Sequence, residues 1–291
     1  MRLAAIPLVA VFLSASAVPQ PTVEWTMVNV NAGDAQADAH LIRMPDGGFQ
    51  MIDAGDRTGR LVPYLRERGV KHIERVFISH LHKDHYDALP AILAADIGIG
   101  EVYVNYPERS VCDAEIPWGC DFADIEQTIA LLREKGVSVV EVKPGQVVYS
   151  KDGVRLEILY AYNGIDSPVG RTDVNDTSMI MALEYGRTRL LFTGDLNLAL
   201  GTYLAAHAPD IKADILKVPH HGTEGVAPNE FFERVGASVA MVPAPRDLWL
   251  SDRSKRIRRY FNEKGTRTFV SGICGDVTIL IRQDGFTVRH R

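Results

Sequence analysis

Short alternations of apolar and polar residues dominate the first quarter of the chain. They predict strands at residues 25–30, 40–44 and 49–53, separated by turns rich in glycine, aspartate and asparagine. Apolar residues then recur at helical spacing over residues 60–68, and an apolar run at residues 76–78 predicts a buried strand. The chain therefore begins with a meander of strands rather than with a strand–helix–strand unit.

Strands and helices are interspersed through the rest of the chain. Two β-rich halves with helices between them favour two facing sheets with helices outside, because each sheet must bury one face. The sequence contains no repeat, low-complexity run or long linker, so residues 24–290 are predicted to form a single α/β domain. The further predicted strands are 102–104, 154–160, 178–184, 189–192, 215–218, 239–242, one around 269, and 277–281, and the further predicted helices are 89–93, 122–135, 230–235 and 252–264.

Composition and charge limit the kinds of molecule that the protein is expected to bind. Hydrophobic residues make up 46% of the 291 residues, which is ordinary for a globular protein. The formal net charge of −5 gives no overall attraction to nucleic acid or to an anionic membrane. A nucleic-acid substrate would therefore have to bind to a local patch of positive charge. Residues 246–259, with six arginine or lysine residues, are the candidate, and a solvated helix face is the alternative.

The N-terminus has the pattern of a secretory signal peptide. Met1-Arg2 is followed by an apolar run over residues 3–13 and then by Ser-Ala-Ser-Ala, which predicts cleavage after Ala17. The run is short for a permanent membrane span, although an uncleaved anchor is the alternative. The sequence has no later apolar stretch of spanning length. We therefore expect residues 1–17 to be removed and the mature protein to be secreted or periplasmic.

The three cysteines fit an exported protein. Cys112 and Cys120 flank a segment whose proline and glycine favour a turn, so a disulfide between them is predicted. Cys274 has no obvious partner and is expected to be a small buried apolar residue. None of the three lies in a zinc-binding Cys-x-x-Cys pair.

Three histidines and an aspartate fall within six positions directly after the predicted strand at 76–78. His80 and His82 can point the same way as the chain leaves the strand, whereas Asp84 and His85 turn toward a second point nearby. Imidazole and carboxylate are the ligands that zinc prefers at catalytic sites. Two metal ions about 3.5–4 Å apart are a recurring hydrolytic device, so one loop can serve two neighbouring ions.

Three other predicted strands also end in polar residues. Asp53, Asp195 and the pair His220-His221 each follow an apolar run. If these strand ends meet at one edge of a sandwich, the side chains form a rigid cluster of metal ligands. The sequence therefore predicts a hydrolytic metal site at that edge.

The motifs resemble those of the metallo-β-lactamase superfamily. They are HxHxDH at 80–85, Ile-Asp-Ala-Gly at 52–55, Phe-Thr-Gly-Asp at 192–195 and Pro-His-His-Gly-Thr at 219–223. Together with the opening at 28–35, they are most similar to the branch typified by the periplasmic hydrolase domain of the ComEC/Rec2 DNA-uptake proteins. The resemblance covers most of residues 24–290. It implies an αββα sandwich and a metal-dependent hydrolase.

The resemblance also implies a set of metal ligands and two ions per chain, with zinc expected and manganese or iron as alternatives. His80 and His82 would bind the first ion, and Asp84 and His85 the second. Asp195 would bridge both ions, and one of the two adjacent histidines would complete the second site. The implied ligands are His80, His82, Asp84, His85, Asp195 and His220.

Catalytic roles follow from the same resemblance for Asp84, Asp53 and His221. Asp53 would lie in the outer shell and orient a ligand or the metal-bound water. His221 would contact substrate or protonate a leaving group. For Asp53 and His221 the alternative is that each caps a turn.

Two features of the sequence discriminate among the activities of the family. Many superfamily hydrolases supply a mid-chain histidine to the first metal, but residues 174–178 are Val-Asn-Asp-Thr-Ser. Either Asn175 or Asp176 approaches the metal through oxygen, or the first site is weaker. The commonest class B β-lactamases have cysteine where Asp195 stands. The pattern therefore favours cleavage of a phosphodiester or phosphomonoester by a hydroxide that bridges the metals.

Alternative functions stay open at this point. A lactone, β-lactam or thioester hydrolase of the same fold is one, and a non-catalytic metal-binding or scaffold protein is the other. The sequence identifies neither the substrate nor the oligomeric state.

Overall fold

A computed structural model describes residues 21–290, except for residues 32, 34, 58, 117–118, 162–172 and 209. The predicted signal peptide, residues 1–17, lies outside the described residues. Within the described chain no helix is long and apolar enough to cross a membrane.

The described residues form fifteen strands, most of which follow the predicted apolar alternations. In chain order the strands are β1 Val23–Met27, β2 Ala39–Arg43, β3 Phe49–Ala54, β4 His72–Phe77, β5 Gly98–Val104, β6 Ser138–Glu141, β7 Val147–Lys151, β8 Val154–Tyr160, β9 Ile180–Tyr185, β10 Thr188–Phe192, β11 Ile215–Lys217, β12 Val239–Val242, β13 Arg267–Val270, β14 Val277–Arg282 and β15 Gly285–His290.

Ten α-helices and three 3-10 helices connect these strands in the part of the chain that the structure describes. The α-helices are α1 Leu61–Glu67, α2 Lys83–Tyr86, α3 Leu89–Ala94, α4 Arg109–Asp113, α5 Phe122–Glu134, α6 Leu198–His207, α7 Asn229–Val235, α8 Arg246–Leu250, α9 Lys255–Lys264 and α10 Ser271–Cys274. The 3-10 helices are Val174–Thr177, Pro219–Gly222 and Asp252–Ser254.

The strands form two sheets that pack face to face. One sheet has the order β15-β14-β1-β2-β3-β4-β5-β6, and the other has the order β13-β12-β11-β10-β9-β8-β7. Trp25 and Phe77 of the first sheet and Phe192 and Met241 of the second share one apolar layer between the sheets. Two further apolar layers lie between the sheets and the outer helices. The predicted αββα sandwich is therefore confirmed, and the start of the chain is an antiparallel meander, as expected.

Part of each sheet is parallel, and this arrangement determines where the site lies. Strands β3, β4, β5 and β6 pair in parallel in one sheet, and β10, β11, β12 and β13 pair in parallel in the other. The carboxyl ends of parallel strands meet at the same edge of a sheet. The predicted ligands follow β4, β10 and β11, and Asp53 is the penultimate residue of β3.

The three cysteines have different environments. Cys112 and Cys120 form the predicted disulfide, with both residues buried in the outer layer beside the first sheet. Cys274 is free and only partly buried, so the expectation of a fully buried residue was wrong. It lies in α10, at the margin of the layer between the sheets.

Candidate metal centre

Asp53 lies behind the histidine loop and connects it to β3. Its Oδ1 accepts a 2.7 Å hydrogen bond from the Ser79 amide, and its Oδ2 accepts one of 2.9 Å from the Ser79 hydroxyl. The same Oδ2 lies 2.9 Å from Nδ1 of His85. A carboxylate can only accept, so His85 carries its proton on Nδ1 and leaves Nε2 free for a metal. These contacts fit the outer-shell role that the resemblance implies for Asp53.

Asp84, His85, Asp195 and His221 bring one ligand atom each to within 4.8 Å of one another. Oδ2 of Asp195 lies 3.3 Å from Nε2 of His85 and 3.0 Å from Nε2 of His221. Oδ2 of Asp84 lies 3.3 Å from the same nitrogen of His221. These separations are close to the roughly 3.3 Å expected between two ligands about 2.0–2.1 Å from a tetrahedral ion. The four side chains can therefore hold one metal ion.

The structure turns His221, rather than His220, toward this cluster. Both residues have left-handed backbone conformations, with φ of 46° for His220 and 50° for His221. Nδ1 of His221 donates a 2.6 Å hydrogen bond to the carbonyl of Pro243, so its Nε2 is the metal-facing nitrogen. Nδ1 of His220 is buried and has no hydrogen-bond partner among the described residues. The geometry therefore favours His221 as the ligand, which is the reverse of the assignment that the resemblance implies for His220 and His221.

The two histidines should differ sharply on replacement by alanine. His221→Ala is expected to remove one metal ion per chain, because it deletes a ligand of the four-residue cluster. His220→Ala should keep the wild-type metal content, and it carries a similar backbone cost because both residues have positive φ. Metal content after dialysis against a weak chelator, measured by mass spectrometry, checks both variants. Loss of metal from His220→Ala alone would restore the sequence-based assignment.

His80 and His82 form a second pair of candidate ligands. Nε2 of His80 lies 3.1 Å from Nδ1 of His82. Nδ1 of His80 lies 3.1 Å from the Ser79 hydroxyl, whose proton goes to Asp53, so His80 donates there. Nε2 of His82 lies 2.6 Å from Oε2 of Glu115 and donates to it. The lone pairs of these two nitrogens therefore face each other, at a distance typical of two ligands of one metal ion. A cation between them would stabilise this arrangement.

Lys217 neutralises the buried carboxylates behind the cluster. Its ammonium group contacts Oδ2 of Asp38, lies 3.1 Å from Oδ1 of Asp195 and donates to the carbonyl of Gly194 at 2.7 Å. Asp38 also contacts His40 at 2.6 Å. Lys217 contacts Oδ1 of Asp195, whereas Oδ2 is the oxygen that lies near His85 and His221. Neither Lys217 nor Asp38 was predicted from the sequence, although a lysine within a buried strand is a recognisable signal of ion pairing.

The electrostatics of the cluster favour a cation. Burial alone would lower the pKa of His221, but the carboxylates of Asp195 and Asp84 outweigh it and raise the pKa to about 10. Burial alone would raise the pKa of Asp84, but His85 and His221 lower it to about 2. Burial lowers the pKa of His220 to about 4, so this ring is neutral at pH 7. The point between Asp84, Asp195 and His221 therefore stabilises positive charge strongly, which a divalent metal would supply.

The mid-chain segment does not place a carboxylate among the ligands. Oδ1 of Asp176 accepts a 2.8 Å hydrogen bond from the amide of Asn197, at the start of α6. Burial raises the pKa of Asp176 to about 6. Oδ1 of Asn175 is buried and has no hydrogen-bond partner within the described chain. Of the two candidate oxygens, only that of Asn175 is left without a hydrogen bond.

Most of the basic stretch at 246–259 is engaged in contacts within the protein. Arg256 donates to the carbonyls of Val226 and Ala227 at 2.7 Å each, and Arg258 donates to the carbonyl of Ser251 at 2.7 Å. Arg259 pairs with Glu263 at 2.7 Å. These contacts favour a structural role for the stretch over a phosphate-binding patch.

Comparison with known proteins agrees with this geometry. The family model described as Metallo-beta-lactamase superfamily matches residues 32–244. ComE operon protein 3 of Bacillus subtilis is 28% identical over 188 residues, which are 64% of this chain and 22% of the relative. Endoribonuclease ysh1 of Schizosaccharomyces pombe is 30% identical over 90 residues, which are 29% of this chain and 12% of the relative. This chain therefore covers less than a quarter of either relative.

Solved structures show the same fold at low sequence identity. YhfI, a metallo-beta-lactamase fold protein from Bacillus subtilis, superimposes with a TM-score of 0.54 and 13% identity over 93% of this chain and 100% of that chain. CmlA, a diiron beta-hydroxylase from Streptomyces venezuelae, gives a TM-score of 0.55 and 14% identity over 91% of this chain and 55% of that chain. The fold and the ComEC-like branch that the motifs indicated are confirmed.

Proposed function

Because this chain belongs to the metallo-β-lactamase superfamily, we propose that it is an exported dinuclear hydrolase that cleaves a phosphodiester or phosphomonoester bond. The arrangement of four histidines carries this proposal. Each is hydrogen-bonded through one ring nitrogen, and the other nitrogen faces a further ligand. Such fixed tautomers are typical of imidazoles that bind metals. The four are His80, His82, His85 and His221.

Each group in the site has a defined task in this proposal. His80 and His82 would hold the first ion, Asp84, His85 and His221 would hold the second, and Asp195 would contribute to both. When bound, the two ions would activate water at neutral pH and stabilise charge on the phosphoryl group. Zinc suits this set of nitrogen and oxygen ligands, with manganese or iron as alternatives.

In this proposal His220, rather than His221, contacts the substrate. Nδ1 of His220 is buried and has no hydrogen-bond partner among the described residues, and the ring of His220 lies 6.4 Å from that of His221. We therefore assign Nδ1 of His220 to contact with a substrate oxygen.

Three observations favour a phosphoester over the other substrates of this fold. Asp195 stands where the commonest class B β-lactamases have cysteine, and residues 174–178 contain no histidine. One relative is named an endoribonuclease, which is a phosphodiesterase. Bond cleavage at phosphorus by a two-metal centre is also a recurring reaction.

Export is supported by the disulfide. The bridge between Cys112 and Cys120 joins two buried sulfurs, and such bridges persist in oxidising compartments. The leader pattern at residues 1–17 agrees with this location. The mature protein would begin at Val18.

One preparation tests the whole proposal. Protein recovered from the secreted or periplasmic fraction is sequenced from its N-terminus, analysed for metal, and assayed with an activated phosphodiester, a phosphomonoester, a lactone, a thioester and a β-lactam. We expect Val18 at the N-terminus, two metal ions per chain and preferential turnover of a phosphoester. Turnover of the lactone, thioester or β-lactam alone would disprove the phosphoesterase proposal. An inactive chain with one metal or none would favour a scaffold protein.

A further inference from the structure

We propose that Glu115 is a positioning residue for the first metal site, where it fixes the orientation and tautomer of His82. This inference rests on the two-metal function proposed above. Glu115 follows α4 and lies between the two bridged cysteines, far in sequence from every motif of the site. Nothing in the spacing of metal-binding residues points to it.

The contact between Glu115 and His82 determines which imidazole nitrogen can bind a metal. Oε2 of Glu115 lies 2.6 Å from Nε2 of His82, and both side chains are nearly buried, at 11% and 13% exposure. A carboxylate accepts the Nε2 proton and leaves Nδ1 of His82 as a lone pair. That lone pair faces Nε2 of His80 at 3.1 Å. Without Glu115, His82 could carry its proton on either nitrogen.

A second contact connects Glu115 to the mid-chain segment. Its Oε1 accepts a 3.0 Å hydrogen bond from the amide of Val174, the first residue of the 3-10 helix Val174–Thr177. One carboxylate therefore joins His82 to the segment in which no histidine is present.

The disulfide and a glycine keep Glu115 in this place. Cys112 and Cys120 are buried at 0% and 1% exposure, so the bridge anchors both ends of the loop in the outer apolar layer. The amide of Gly119 donates to the carbonyl of Glu115 at 3.0 Å. A Cβ atom on Gly119 would lie 2.6 Å from Oε2 of Glu115, so only glycine leaves room for the carboxylate.

Metal binding by three variants tests the inference. Glu115→Ala removes the acceptor, whereas Glu115→Gln keeps an oxygen that can accept the proton of His82. The control is Glu126→Ala, which removes an exposed carboxylate 2.7 Å from Arg109 of the adjacent α4. Each metal-free protein is titrated with Co²⁺ in the presence of a competing chelator, and the visible spectrum and the two dissociation constants are recorded. Circular dichroism checks that each variant is folded.

We expect Glu115→Ala to weaken the first site by roughly 10–100-fold and to alter its Co²⁺ spectrum, while the second site is unchanged. Glu115→Gln should lose less affinity than Glu115→Ala, and Glu126→Ala should match the wild type. Wild-type affinity at both sites in Glu115→Ala, or equal losses at both sites in the alanine and glutamine variants, would overturn the inference. A wild-type chain that binds fewer than two ions would instead overturn the dinuclear function on which it rests.

Discussion

Asp195→Asn is expected to weaken binding of both metal ions, the second most strongly, and so to abolish hydrolysis. Oδ2 of Asp195 is within 3.3 Å of the free nitrogens of both His85 and His221, so it is the ligand that these two histidines share. The amide is nearly the same size but lacks the negative charge that stabilises a divalent ion. We expect the loss of affinity to exceed the roughly 100-fold that is typical for an outer-shell partner.

The fold should survive this change, which makes the result interpretable. Lys217 keeps its contact with Asp38 and its hydrogen bond to the carbonyl of Gly194. A matched control is Asp210→Asn, which alters an exposed carboxylate 2.8 Å from Arg189. Calorimetric metal titration and turnover of the best phosphoester are the measurements. Two tightly bound ions in Asp195→Asn would exclude this residue from the metal centre.

Lys217→Met should destabilise the metal-free protein by about 3–5 kcal/mol. Lys217 is 1% exposed, and burial alone would lower its pKa, but the carboxylates of Asp38 and Asp195 outweigh burial and raise it. Methionine fills a similar volume but leaves both carboxylates without their buried cation. Removing one partner of such a network leaves uncompensated charge in the interior, which is the main source of the cost.

Urea unfolding of metal-free protein measures this effect without a contribution from bound metal. Lys264→Met is the control, because it breaks a 2.9 Å ion pair with Glu233 on the surface and should leave the unfolding midpoint close to wild type. Asp38→Asn combined with Lys217→Met should recover part of the loss. Equal stability of Lys217→Met and the wild type would show that the buried network does not stabilise the fold.

The sequence predicted the elements that are buried and regular. Strands 154–160 and 239–242 coincide with β8 and β12, because their apolar residues face a core layer. The structure adds β6 and β15, which have few fully buried residues, so apolar alternation is weak there. It also adds α6, whose apolar residues surround the helix instead of forming one stripe.

Only part of the candidate site could be predicted from the sequence. Motif spacing identified the histidine loop and Asp195, because a strand and the loop after it are local in sequence. The choice between His220 and His221 depends on two left-handed residues and on the carbonyl of Pro243, which belongs to a different strand connection. Glu115 lies in a loop that reaches His82 only through the tertiary fold. Such long-range contacts cannot be predicted from the spacing of residues within a short stretch of sequence.

The pairing of β1 with β14 joins the two ends of the chain. Val23 lies opposite Ile281, and Met27 lies opposite Val277, in one antiparallel ladder. During synthesis from the ribosome, the larger sheet therefore cannot close until Val277–Arg282 has been made. The leader proposed for residues 1–17 would be translated first, while this late pairing is still missing. Until then β1 lacks its partner β14, and a chain whose larger sheet closes late suits the export proposed above.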